Sequence, residues 1–242
     1  MKFCLIRNIC IIASFFSALA GGVYGQQDER VVKVSLYAFD YAKSHKTVYL
    51  TDGEGQVTDV RLSTANIIGP FKTRLDDKLN VVVRCKTKNE DGETVYPAIA
   101  KVKIPTHIRE PLLVLFPGGK VSVYKGFAID RKMSDFPLGS YKCINMSPTA
   151  IRGLVGKTKV QVASGKVAFF DPSANAGEYL DVHFQYQRPD DWKTFGRTRW
   201  PKQKVRRCIL FVYLDPLTKR MKIRSMRVKK IQRSKEYKKN MP

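Results

Sequence analysis

Histidine and tryptophan are scarce in this chain of 242 residues, with three and two copies, and acidic residues number 21 against 44 Lys and Arg. The histidines His45, His107 and His183 lie far apart, and none has a metal-ligating neighbour at i+2 or i+4. The cysteines show no C-x-x-C spacing, so a zinc site is not predicted. There is no G-x-S-x-G elbow of the hydrolase type and no Gly-rich phosphate loop, because Gly118-Gly119-Lys120 reads as a hairpin turn without a following helix. Asp190-Asp191-Trp192 and the pair Asp171 and Glu178 sit in turn-rich stretches where acids belong in any case. The sequence therefore predicts no catalytic residues, no cofactor and no metal, and the chain reads as a non-enzyme.

Long apolar runs are missing except at the N-terminus. Lys2 and Arg7 precede an apolar stretch from Ile9 to Ala20, followed by small-residue cleavage sites ending at Ala20 and at Gly25. That layout predicts a secretory signal peptide over residues 1–25. The apolar stretch is shorter than the roughly 20 residues that span a bilayer. Export is thus expected, to a periplasmic or extracellular location, with no transmembrane segment after cleavage. Loss of Lys2 and Arg7 leaves 42 bases against 21 acids, a mature charge of +21. Such an excess attracts polyanions.

Of five cysteines, Cys85, Cys143 and Cys208 lie beyond the leader. In an oxidising compartment a Cys143–Cys208 disulfide is one expectation, contributing about 4 kcal/mol through loop closure. Three buried free thiols are the alternative.

What the chain does have is short runs rich in Val, Ile, Tyr and Phe, ended by Gly, Pro, Asp or Asn, which is a strand pattern. Strands are expected over residues 31–39, 46–50, 57–62, 79–85, 98–104, 111–116 and 121–129. After the punctuation Pro137-Leu-Gly139 the order returns, with strands from Tyr141 and over 159–163, 166–170, 179–187, 193–200, 207–214 and 220–228. Lys101-Val-Lys-Ile-Pro105 falls on Arg197-Thr-Arg-Trp-Pro201 at an offset of 96, and Leu112–Phe116 falls on Cys208–Val212 at the same offset. The fold class expected is all-β: two tandem antiparallel β-sandwiches, over residues 31–130 and 137–229, arising by duplication, with a basic tail over 230–242. The intervening linker is short enough that the two domains should touch.

Pro137, Gly139 and Tyr141, followed by Asn145, Ser147 and Pro148, form a Pro-x-Gly-x-Tyr strand start and an Asn-x-Ser-Pro turn. In these residues the second half resembles immunoglobulin-like modules of uncharacterised exported bacterial proteins, over about 35 residues. The resemblance implies a β-sandwich and a cell-surface or periplasmic setting, and brings no catalytic residues.

The remaining signal is charge. Between Lys219 and Lys239 stand eleven bases and a single acid, Glu236. Alternation places Lys193, Arg197 and Arg199 opposite Trp192, Thr194 and Trp200, and Lys222 and Arg224 opposite Met221 and Ile223. With Arg206, Arg207 and Arg227 these bases are expected to form one broad anion-binding surface. The expected partner is an anionic polymer, a polysaccharide or lipopolysaccharide, or an envelope surface. A scaffold subunit that pairs sandwich edges with other protein subunits is the alternative. A carbohydrate-active enzyme is a weaker alternative, and nucleic acid is an unnatural partner for an exported chain.

Overall fold

A computed structural model describes residues 30–42, 45–119, 122–172, 178–202 and 205–228. The expected signal peptide and the basic tail lie outside these residues. Every regular element among the described residues is a strand. The first half contains β1 (Val31–Ala38), β2 (Thr47–Thr51), β3 (Val57–Arg61), β4 (Ile68–Arg74), β5 (Asn80–Arg84), the short hairpin β6 (Thr87–Lys88) and β7 (Thr94–Val95), β8 (Ala98–Lys103), β9 (Pro111–Pro117) and β10 (Tyr124–Asp130). The second half contains β11 (Tyr141–Asn145), β12 (Ile151–Val155), β13 (Thr158–Val162), β14 (Val167–Phe170), β15 (Tyr179–Gln187), β16 (Trp192–Pro201), β17 (Arg207–Leu214) and β18 (Met221–Val228).

Apart from the β6–β7 hairpin, the strands form four sheets of four, with orders β3-β2-β5-β8 and β10-β9-β1-β4 in the first half, and β13-β12-β15-β16 and β14-β11-β17-β18 in the second. Both halves have the same strand order. Each also holds one parallel pair, β1 with β9 and β11 with β17. Alternation along β1 sends Val34, Leu36 and Ala38 into a core shared with the β3-β2-β5-β8 sheet. Tyr141, Cys143, Leu210 and Val212 enter the equivalent core of the second half. The residues between them point the other way. Tyr37, Leu112, Val114, Ile144, Ile209 and Phe211 meet in a third core between the two halves. The sheets therefore stack in four layers, and the two inner sheets are covered on both faces. That is why Leu112–Leu115 and Ile209–Val212 are unbroken apolar runs rather than alternating ones.

The linker is fixed by buried polar contacts. Phe136 is fully buried in the middle core. Arg207, only 2% exposed, donates from Nη1 to the carbonyls of Arg131 and Phe136, each at 2.7 Å. Its guanidinium lies 5.1 Å from the centre of the Phe136 ring. Arg131 donates in turn to Ser35 Oγ at 2.8 Å. Burial pushes both guanidinium pKa values down, and the Glu110 carboxylate opposes this for each. At the other end of the linker Lys142 Nζ donates to the carbonyl of Asp130 at 2.8 Å.

Besides the short β6–β7 hairpin, two strands, β4 and β12, occupy stretches where the sequence predicts none. β4 contains Gly69-Pro70, but it is a sheet edge, where proline removes no ladder hydrogen bond. In β12 Gly153 pairs with Phe184, and a β-carbon there would stand 2.5 Å from the Phe184 ring. The glycine is the space into which that ring packs. The Asn145-x-Ser147-Pro148 motif forms the expected turn: Asn145 Oδ1 accepts from the backbone N–H and the hydroxyl of Ser147. Its amide donates to the carbonyls of Thr149 and Val162.

Two predictions follow from the linker. Arg207→Met leaves two buried carbonyls without donors and should destabilise the protein by about 3–5 kcal/mol, read as a lower urea midpoint. Asp130 supplies a pH dependence. Burial would raise its pKa, but N–H donors from Lys132, Arg109 and Glu110, with Lys142 nearby, outweigh this and hold it below the ordinary value. Its stabilising contribution is present above the unfolded carboxyl value of about 4 and lost as pH falls through the depressed folded value. Asp130→Asn should therefore be less stable than the parent at pH 7, with the gap in urea midpoints closing on acidification below pH 4.

Candidate anion-binding surface

With both inner sheets covered, the sheet faces left to water over their whole width among the described residues are the outer faces of the two outer sheets. Their composition follows from strand register. In the second half, β15 and β16 pair Asp181 with Arg199, Val182 with Thr198 and His183 with Arg197. A bulge then intervenes: Phe184 faces Gly196 while Gln185 faces Thr194, leaving Phe195 as the extra residue. The bulge reverses the alternation within β16. Trp192 and Thr194 consequently share the wet face with Arg197 and Arg199, whereas Lys193 follows the opposite face. Contacts agree with this placement. His183 Nε2 and Thr194 Oγ1 are 2.8 Å apart, and Arg199 Nε lies 3.1 Å from Asp181 Oδ1.

Arg152 and Lys159, from β12 and β13, complete the face, since Arg152 pairs with Gln185 and Lys159 with Leu154. The Arg152 guanidinium sits 4.5 Å from the centre of the Trp192 ring and donates to Gln185 Oε1 at 2.7 Å. Arg199 lies 5.8 Å from the Tyr179 ring, which is itself exposed. These strands thus present Arg152, Lys159, Arg197 and Arg199 with a single acid, Asp181. Arg197 and Arg199 stand about 7 Å apart along their strand, with neighbouring strands about 4.8 Å away.

The outer face of the first half has the same balance. Register places Arg61, Asp59, Arg84, Lys101 and Lys103 together on it, beside Tyr49. Tyr49 packs against Tyr96, whose carbonyl accepts from Arg84 Nη1 at 2.9 Å. A bulge here leaves Ile99 as the extra residue of β8, as Phe195 is in β16. Lys101 and Lys103 thus follow their bulge at the same spacing as Arg197 and Arg199, which gives the offset of 96. For β9 and β17 that offset is one residue short. Phe39 N donates to Leu115 O, and Met146 N donates to Val212 O at the matching place, an offset of 97. The intervening loop absorbs the difference.

The eight bases singled out in the sequence do not form one surface. Arg197 and Arg199 lie on the outer face, and Lys193, Arg206 and Arg227 are exposed elsewhere. Arg207 is buried and committed to the linker. Lys222 pairs with Asp215, and this contact holds the Asp215 carboxyl well below its usual range. Arg224 donates to the Phe39 carbonyl and lies 4.6 Å from the centre of its ring. Lys222 and Arg224 do oppose Met221 and Ile223 as expected, but their side of the sheet faces the other half of the molecule: Lys222 stays exposed at the rim and Arg224 is half-buried. Trp200, unlike Trp192, is a core residue, stacked 5.6 Å from Tyr141. The sequence reading missed Arg152, Lys159, Arg61 and Arg84. For Lys101 and Lys103 the signal was present in their alignment with Arg197 and Arg199.

The expected Cys143–Cys208 bridge is not formed. Both are free thiols, as is Cys85. The parallel register sets Tyr141 beside Cys208 and Cys143 beside Leu210. Two residues of stagger on adjacent strands separate the α-carbons by about 8 Å, beyond disulfide reach. Burial pushes the Cys143 thiol up to about 12 and raises Cys208 as well. No family model matches the chain, and no curated protein matches it at a significant level.

Iodoacetamide at pH 8 should therefore alkylate native protein at the half-exposed Cys85 and leave Cys143 unmodified until denaturant is added. Peptide mass spectrometry reads the order of labelling.

Proposed function

We propose that the protein is an exported, non-enzymatic binding module of two tandem immunoglobulin-like β-sandwiches related by duplication, whose outer faces engage an anionic polymer such as an acidic polysaccharide or lipopolysaccharide. The duplication is supported by the shared strand order and by the bulge each half carries in its β8 or β16 strand. One observation carries the binding reading: each outer face sets four bases against one acid on its strands, with aromatic rings among them. Arg grips phosphate, sulfate or carboxylate with paired hydrogen bonds, and a flat array of such groups suits an extended chain better than a compact ligand. Trp192 and Tyr179 add ring surface for sugar faces. Most of the affinity would come from counterion release, so binding falls steeply with salt.

Heparin is the test polymer. The parent protein should be retained and elute at raised NaCl. Arg152→Gln, Arg197→Gln and Arg199→Gln together should lower the elution salt, and the slope of log affinity against log salt should fall by about one per lost contact. A parent slope near zero defeats the proposal, as does a triple variant that elutes with the parent.

A further inference from the structure

The two outer faces point away from each other. Three successive cores separate the four sheets in the order outer, inner, inner, outer. At about 10 Å per sheet contact, the outermost backbones stand about 30 Å apart. The middle core and the Arg207 contacts to the linker carbonyls hold them at that separation. One face therefore cannot turn toward the other, and the two cannot close on a single segment of ligand. Both nevertheless carry the same excess, four bases against one acid on their strands.

The margins between the faces do not continue this excess. On the edge strand β14, Val167 and Phe169 are 56% and 48% exposed, an apolar border that offers a hydrated anion no partner. At the opposite margin of the inner sheets β4 presents Lys72 in register with Lys33, a pair of bases where each outer face has four. A polyanion lying across the four strands of one face covers about 15 Å. To reach the other face it would have to bend twice through a right angle and cross a wall with few cations. A second chain meets no such obstacle. Given the polymer reading of these faces, we infer that the protein is a cross-linker: each outer face takes a separate anionic chain, and one molecule joins the two back to back.

Two readouts on the purified full-length protein test this. Calorimetry with a heparin hexasaccharide, too short to reach from one face round to the other, should give two sites per protein chain. Long-chain heparin mixed with the parent should form large complexes that scatter light. Arg152→Gln, Arg197→Gln and Arg199→Gln together, or Arg61→Gln, Lys101→Gln and Lys103→Gln together, should reduce the hexasaccharide count to one. Each of these single-face variants should also lose the scattering while remaining bound to heparin at lower salt. Lys33→Gln, Lys72→Gln and Lys125→Gln together remove the same charge from exposed positions outside both faces, and should leave two sites and full scattering. One hexasaccharide site in the parent, or scattering that survives in the single-face variants, overturns the cross-linker and leaves the polymer reading intact. Loss of scattering in the margin variant also overturns it, because net charge alone would then drive assembly. A parent that binds no heparin at all defeats the polymer reading, and the cross-linker with it.

Discussion

The structure depends on the apolar contact between its two inner sheets. Tyr37 stacks parallel to Phe211 across it, with ring centres 6.1 Å apart, and Phe39 meets Phe211 edge-on at 5.6 Å. Leu112, Val114, Ile144 and Ile209 fill the space around them. A sheet covered on one side only can keep polar residues on every second position. These two cannot, so β1, β9 and β17 are apolar on both faces in their central stretches, and the few polar groups that enter must be satisfied there. Arg207 meets that demand in part through backbone carbonyls, and Arg131 in part through Ser35. Lys202 does the same at the rim of the second half, where its ammonium reaches Asp171 and the carbonyls of Gly139 and Pro172.

The same constraint distributes charge. A chain with more than twice as many bases as acids must place them where water remains. Once the inner sheets are excluded, that means the outer faces, the loops and the edges. The two outer faces are alike because their strands follow the same order and carry the same bulge. Positive surface on this molecule is a consequence of layer number as much as of composition.

Much of the architecture was legible in the sequence. Period-two alternation gave β1, β5, β8 and β9 nearly to the residue. What alternation could not give is the number of layers. Lys222 and Arg224 were read as facing water because a sandwich strand ordinarily has one wet side, and the first half covers theirs at Arg224, through Phe39. Arg207 looked like one more surface base for the same reason. The β16 bulge escaped notice because an extra residue in a strand has no composition of its own. Trp192 and Lys193 thereby exchanged faces. Gly153 and Gly69-Pro70 read as breakers, although one is a ring's packing space and the other lies on an edge.

Because Phe136, Ile129 and Arg207 belong to both halves at once, the linker is not a hinge. Severing the chain there would leave each sandwich with a bare hydrophobic wall the width of a whole sheet. The protein should accordingly lose its structure in a single step, as one thermodynamic body, and neither half should serve as a transferable module when expressed apart from the other.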